Sequence, residues 1–180
     1  IIGSVHLVKK EEVSDLWFID GPEIGYEKGL KSVFGLNARE AVTTFYKQSM
    51  EMVETRKPDI IAHFDKVKMY NRGKYFDENE QWYKDLVLEI LEVLKANNTI
   101  VEVNTRGLYR QKINKTYPDN WIIKKCNEMG IPLTLSSDAH KPIELTMHFK
   151  ETVVSFKELG IKELVTLENG LWVTVGFNQK

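Results

Sequence analysis

The chain has 180 residues, 42% of them hydrophobic and 28% charged, with a formal net charge of -1. That is ordinary globular composition, enough for one domain over 1–180, and it holds no basic or acidic run of the kind that marks a nucleic-acid or membrane surface. The single cysteine, Cys126, excludes a disulfide framework and fits a reducing, cytoplasmic compartment; no stretch is long and apolar enough to cross a bilayer.

Residues 1–8 read as a strand ending near His6. From Trp17 to Gly35 the glycines at 21, 25, 29 and 35 argue for a long loop with short turns, either a lid over a binding site or a packed surface excursion. Asn37 caps a helix running to about Arg56, with Ala41, Val42, Phe45 and Met52 or Val53 on its buried stripe; Lys57-Pro58 ends it. The next strand finishes at His63, and a polar loop follows from Lys66 to Asp77. A helix over 77–96 buries Leu86, Ile90, Val93 and Leu94, and a strand over 99–104 comes after it. Pro118 is expected at the first position of a further helix, with Gly130 closing it. A strand over 131–134, a helix over 145–159 and two strands, 161–167 and 171–177, complete the chain. Strand–helix alternation with continuous apolar strands implies a parallel sheet covered by helices, an α/β fold.

Polar groups recur where these strands end. His6, His63, Asn104 with Arg106, and Asp138 with His140 each follow an apolar run. In α/β proteins the C-terminal ends of the strands form the ligand face. Asp138 and His140 are two residues apart, which in extended backbone aims both side chains the same way and suits a divalent metal. The plainer alternative is that Asp138 caps the next helix and His140 lies on the surface. His6, His63, Asp138 and His140 are therefore the candidate metal ligands, and Arg106 and Asn104 the candidate substrate contacts. Imidazoles with a carboxylate suit Zn, Mn or Fe, and such a metal acidifies a bound water. With Arg106 as a planar fork for phosphate oxygens, this points to phosphoester hydrolysis. Lys66, Lys68 and Arg72 are expected to be solvated loop charges, His148 a structural or surface residue, and Cys126 a small packing residue.

Four segments resemble the polymerase-and-histidinol-phosphatase (PHP) family: Gly3-Ser4-Val5-His6, Ile61-Ala62-His63-Phe64-Asp65, Glu102-Val103-Asn104-Thr105-Arg106-Gly107 and Ser136-Ser137-Asp138-Ala139-His140. Phe18-Ile19-Asp20-Gly21 is similar to its histidinol-phosphatase branch. The resemblance implies a distorted (β/α)7 barrel with up to three metals (Zn, Fe or Mn). It implies that His6 and His63 share one, Asp138 binds a second and His140 a third. A metal-bridging hydroxide would attack the phosphorus of L-histidinol phosphate, with Arg106 holding the phosphate and Asp138 or His140 assisting the leaving alkoxide. The small phosphate ester is the expected partner; the alternatives are a phosphoesterase of the same family acting on a different small ester, or a fragment inactive by itself. The family's His-x-His strand, further histidines and a bridging Glu would precede His6, and none is in this sequence. The expectation is an incomplete barrel, lacking its first strands, that self-associates or pairs with a missing N-terminal segment through exposed parallel edges.

Overall fold

A computed structural model describes residues 1–11, 13–110 and 114–177. In chain order the elements are β1 (Ile2–Gly3), β2 (Leu7–Lys9), β3 (Leu16–Phe18), α1 (Glu23–Phe34), α2 (Ala38–Arg56), β4 (Ile60–Ile61), α3 (Gln81–Ala96), β5 (Ile100–Asn104), α4 (Arg106–Tyr109), α5 (Asn120–Met129), β6 (Leu133–Ser136), α6 (Phe149–Glu158), β7 (Glu163–Glu168) and β8 (Leu171–Gly176). A four-stranded parallel sheet in the order β1-β4-β5-β6 is the frame of the site. The α/β expectation holds at this level. No helix among the described residues is long and apolar enough to cross a membrane.

The expected first strand is two. β1 joins the parallel sheet beside β4, while β2 pairs antiparallel with β3 in a separate hairpin. His6 sits at the break between them. The expected loop from Trp17 to Gly35 is mostly β3 and α1, packed against the core. Tyr26, Leu30, Val33 and Phe34 are buried at helical spacing, and Trp17 and Ile19 are fully buried beside them. Gly29 faces Trp17 so closely that a Cβ there would lie 2.5 Å from the indole Cδ1. Its glycine is a packing requirement, not a turn signal.

α2 follows the expected pattern. Asn37 accepts the Glu40 N–H at 3.1 Å, satisfying one of the unpaired donors of the first turn. Lys57 closes the helix in the left-handed region. α3 starts at Gln81, four residues later than expected, because Glu80 is its N-cap. Pro118 lies outside α5: Asp119 is the cap and accepts the Asn120 N–H at 2.7 Å. Gly130 closes α5 in the left-handed region as expected. Cys126 is buried within the core, and burial pushes its thiol up to about 12, in keeping with a packing role.

The expected strand over 131–134 lies two residues later, as β6. The expected helix over 145–159 begins only at Phe149, after a 3-10 turn over Pro142–Glu144. His148 caps it, with its ring 4.0 Å from Glu151. β7 and β8 form an antiparallel hairpin outside the parallel ladder. Their turn is Asn169-Gly170, both at positive φ, the geometry that Asn-Gly favours in two-residue hairpins. The hydrophobic core is one connected cluster, running from Val8 and Trp17 through α2 and α3 to Phe156 and Ile161.

Candidate metal and phosphate site

The parallel strands end on one side, and the polar groups collect there. β5 contributes most. Alternation along an extended strand places Glu102 and Asn104 on one face and Val101 and Val103 on the other. The register Ile61↔Val101 would carry His63 to the Val103 side if β4 stayed extended. His63 instead adopts φ 57, a left-handed conformation that turns the chain at the strand end. Its backbone N–H donates to Glu102 Oε2 at 3.1 Å, which pays for part of that turn.

His63 meets His6 edge to face, with ring centroids 5.2 Å apart. Asp20, on the loop between β3 and α1, reaches His6 Nδ1 with Oδ2 at 3.0 Å and Lys66 Nζ with Oδ1 at 2.7 Å. Donor atoms of His6, Asp20 and His63 all lie within 4.8 Å of one another. Among the described residues this is the one group of His, Cys, Asp and Glu side chains gathered closely enough to hold a cation. Two imidazoles and a carboxylate fit Zn, Mn or Fe.

The electrostatics suit that use. Burial, reinforced by the nearby Lys66 and His6, pushes the His63 imidazole down to about 3, so its ring is neutral and able to donate a lone pair at physiological pH. Burial alone would raise Asp20, but hydrogen bonds from His6 and Lys66 and the Lys66 charge outweigh it. The carboxyl is held far below its ordinary range and stays ionised.

The expected ligands do not all converge. Asp138 Oδ2 lies 3.9 Å from His63 Nε2 and 3.5 Å from Arg106 Nε, at the edge of the cluster. The extended backbone presumed for Asp138 and His140 is absent, because Asp138 has φ 51. His140 is at the rim with 63% of its side chain exposed, its Nδ1 2.9 Å from the Asp138 carbonyl oxygen. Asn104 is fully buried, and both ends of its amide are engaged within the protein: Nδ2 donates to Glu102 Oε2 at 3.3 Å and Oδ1 accepts the Arg106 N–H at 2.8 Å.

Arg106 opens α4 at the mouth of the same cleft. Its Nη1 donates to the Asp138 carbonyl at 2.5 Å and to Tyr109 Oη at 2.9 Å. Glu144 Oε2 lies 3.6 Å from Nη1 and also accepts the His140 N–H at 2.8 Å. His63, Asp20, Lys66, Arg106, Arg110 and Asp138 all line this cleft, with Asn104 at its floor.

Two lysines expected to be solvated are buried. Lys66 pairs with Asp20, and Lys68, 2% exposed, is enclosed by Asp65, Glu78 and Asp119 at 3.0, 2.8 and 3.4 Å. Arg72 is exposed, as expected. Sequence reasoning missed four groups as site residues: Asp20, Glu102, Arg110 and Glu144. Asp20 and Glu102 stand inside segments quoted above for their resemblance. The signal for Glu102 was a carboxylate two residues before Asn104 in an otherwise apolar strand. Glu144, buried in the 3-10 turn after His140, carried no signal.

No family model matches the chain. It is similar to proteins named probable histidinol-phosphatase, 24% identical over 94% of this chain in Schizosaccharomyces pombe and 27% over 89% of it in Deinococcus radiodurans. The match covers 53% and 54% of those relatives, so the chain spans about half the length of the curated relatives it matches. Its fold is similar to the crystal structure of a Listeria monocytogenes protein described as a histidinol phosphatase. The TM-score is 0.71 at 22% identity, covering 83% of this chain and 56% of that one.

Proposed function

We propose that this chain carries the metal-binding and phosphate-binding face of a metal-dependent phosphomonoesterase of the PHP type, hydrolysing L-histidinol phosphate to L-histidinol and phosphate in histidine biosynthesis. The observation that carries the proposal is the gathering of His6, Asp20 and His63, of which Asp20 and His63 line one cleft together with Arg106 and Asp138. The names of the relatives supply the substrate class. On this reading the four-stranded sheet is part of a distorted (β/α)7 barrel. The enzyme works in the cytoplasm, where a lone buried thiol stays reduced.

His6, Asp20 and His63 would hold a divalent cation, with Asp138 and His140 available to further ions of Zn, Fe or Mn type. Bound there, such a cation supplies Lewis acidity and a water acidic enough to serve as nucleophile near neutral pH. The protein's own groups do the rest. Arg106 turns its guanidinium to the phosphate, exchanging the loose contacts to Asp138 Oδ2 and Glu144 Oε2, at 3.5 and 3.6 Å, for phosphate oxygens. Arg110 lines the same cleft and adds positive charge. Lys66 keeps Asp20 ionised. Asp138 and His140 stand at the mouth, where the leaving alkoxide takes its proton. Asn104 holds Glu102 and the start of α4 in place and contributes to substrate binding through Arg106.

The test is release of inorganic phosphate from L-histidinol phosphate and from p-nitrophenyl phosphate, with Zn2+, Mn2+ or Fe2+ added and with a chelator. The expected result is metal-dependent release that favours histidinol phosphate and is abolished by chelation. His63→Ala should lose metal and rate together, whereas Arg106→Ala should keep metal and lose substrate binding or turnover. Equal rates on both esters would move the substrate elsewhere within the phosphomonoesters. No release at any metal loading overturns the proposal.

A further inference from the structure

Glu102 is the least conventional residue of the site. It is a carboxylate on the central part of an apolar strand, about nine-tenths buried, and it has no cationic partner in hydrogen-bond reach among the described residues. A buried carboxylate is costly unless its oxygens are hydrogen-bonded, and here they are. Oε1 accepts Ser136 Oγ at 2.5 Å. Oε2 accepts the His63 backbone N–H at 3.1 Å and Asn104 Nδ2 at 3.3 Å. The remaining neighbour of Oε2 is His63 Nδ1, at 3.6 Å. The opposite ring nitrogen, Nε2, faces Asp138 Oδ2 at 3.9 Å. So the two sides of one imidazole meet different surroundings: the Glu102 carboxylate and the Asn104 amide at Nδ1, and the polar cleft at Nε2.

We propose that Glu102 is a positioning residue that sets the tautomer and aim of His63: it attracts the proton to Nδ1 and leaves the Nε2 lone pair directed into the cleft beside His6 and Asp20. It acts twice, through the ring and through the backbone N–H that fixes the left-handed turn at residue 63. Ser136 on β6 and Asn104 on β5 hold Glu102 itself, so three neighbouring strand ends converge on the orientation of one ring. A carboxylate behind a histidine is the general device for making an imidazole a well-aimed donor. Asn104 Nδ2, 3.5 Å from Nδ1, would favour the opposite tautomer if it acted alone. The amide carries two N–H groups and can serve Glu102 and Nδ1 together, so the competition at Nδ1 is between a neutral amide donor and a carboxylate acceptor, and the carboxylate is the stronger partner for a ring proton.

The proposal rests on the metal-dependent reading for its purpose, and its test separates the two. Long-range 1H–15N correlation spectra of the metal-free protein report the tautomer of each of its four histidines, with His63→Ala identifying the signal. The expected result is a proton on Nδ1 of His63 and a bare Nε2. Calorimetric titration with Zn2+, using His63→Ala as background, should then show Glu102→Gln binding about 10–100-fold more weakly than wild type. Ser136→Ala, which leaves every charge in place, should show a smaller loss in the same direction and provides the test if Glu102→Gln does not fold. A proton on Nε2 in the wild type overturns the proposal, as does unchanged Zn2+ affinity in folded variants. If Nδ1 is protonated but the wild type takes up no Zn2+ above background, the tautomer assignment is supported and the metal-dependent reading fails.

Discussion

At the scale of single residues, burial decides which charges matter. Lys68 looks in sequence like any loop lysine, yet it is the counter-ion of three carboxylates beneath the β4–α3 connection. Burial holds the Asp65 carboxyl above its ordinary range even though the Lys68 ammonium opposes it, and Oδ1 of Asp65 has no hydrogen-bond partner among the described residues. Removing one member of such a group strands the others. Lys68→Met is expected to cost about 3–5 kcal/mol, measured by urea denaturation, and the double variant with Asp65→Asn should recover part of the loss. A single variant as stable as wild type would mean that the group is wet and its charges solvated. His63 illustrates the same principle in the site. Its placement depends less on being a histidine at a strand end than on a left-handed backbone and a buried carboxylate beside it.

At the scale of elements, α1 is the instructive case. Four glycines between Trp17 and Gly35 suggested a loop, but Tyr26, Leu30, Val33 and Phe34 mark a helix face at spacings of four, three and one. The helix tolerates two glycines because they do different things. Gly29 makes room for Trp17, whose indole N–H donates to the Tyr26 carbonyl at 2.9 Å. Gly25 faces open space. The two alanine substitutions should therefore have opposite signs in thermal melts. Gly25→Ala should stabilise by up to about 1 kcal/mol, the helix-propensity gain, whereas at Gly29 the overpacking cost of about 1–3 kcal/mol outweighs that gain. Two changes of equal sign would show that the α1–Trp17 approach is looser than described. The same packing means that removing Trp17–Phe34 would open the core, so deletion of this segment cannot isolate a lid.

At the scale of the whole molecule, the sheet is open at β1. Ile2 is 66% exposed and Ile1 more so, and the outward side of the β2–β3 hairpin adds Leu7, Leu16 and Phe18, each about half exposed. A parallel edge with apolar side chains is a template for pairing. The 180-residue chain on its own is expected to self-associate as concentration rises, read by sedimentation velocity, and Ile2→Lys should shift it towards monomer. Sedimentation as a monomer at every concentration would mean that the hairpin already shields the edge.

Hydrophobic pattern, capping residues and punctuation are local, and the sequence alone was enough to place α2, α3, α5 and the strand character of β4, β5 and β6. Asn37 before Ala38, and Gly130 after Met129, mark helix ends whatever surrounds them. The strand-end positions of His6, His63, Asn104, Arg106 and Asp138 were legible for the same reason. What only the tertiary structure decided was convergence. That Asp20 joins the two histidines, that Glu102 backs His63, that Lys66 and Lys68 are buried and that His140 is left at the rim all depend on backbone turns of left-handed sense and on contacts between residues tens of positions apart. Periodicity reports which face of an element is apolar. It does not report where a strand stops being extended, and at His63 and Asp138 that stop determines which atoms can meet in the cleft.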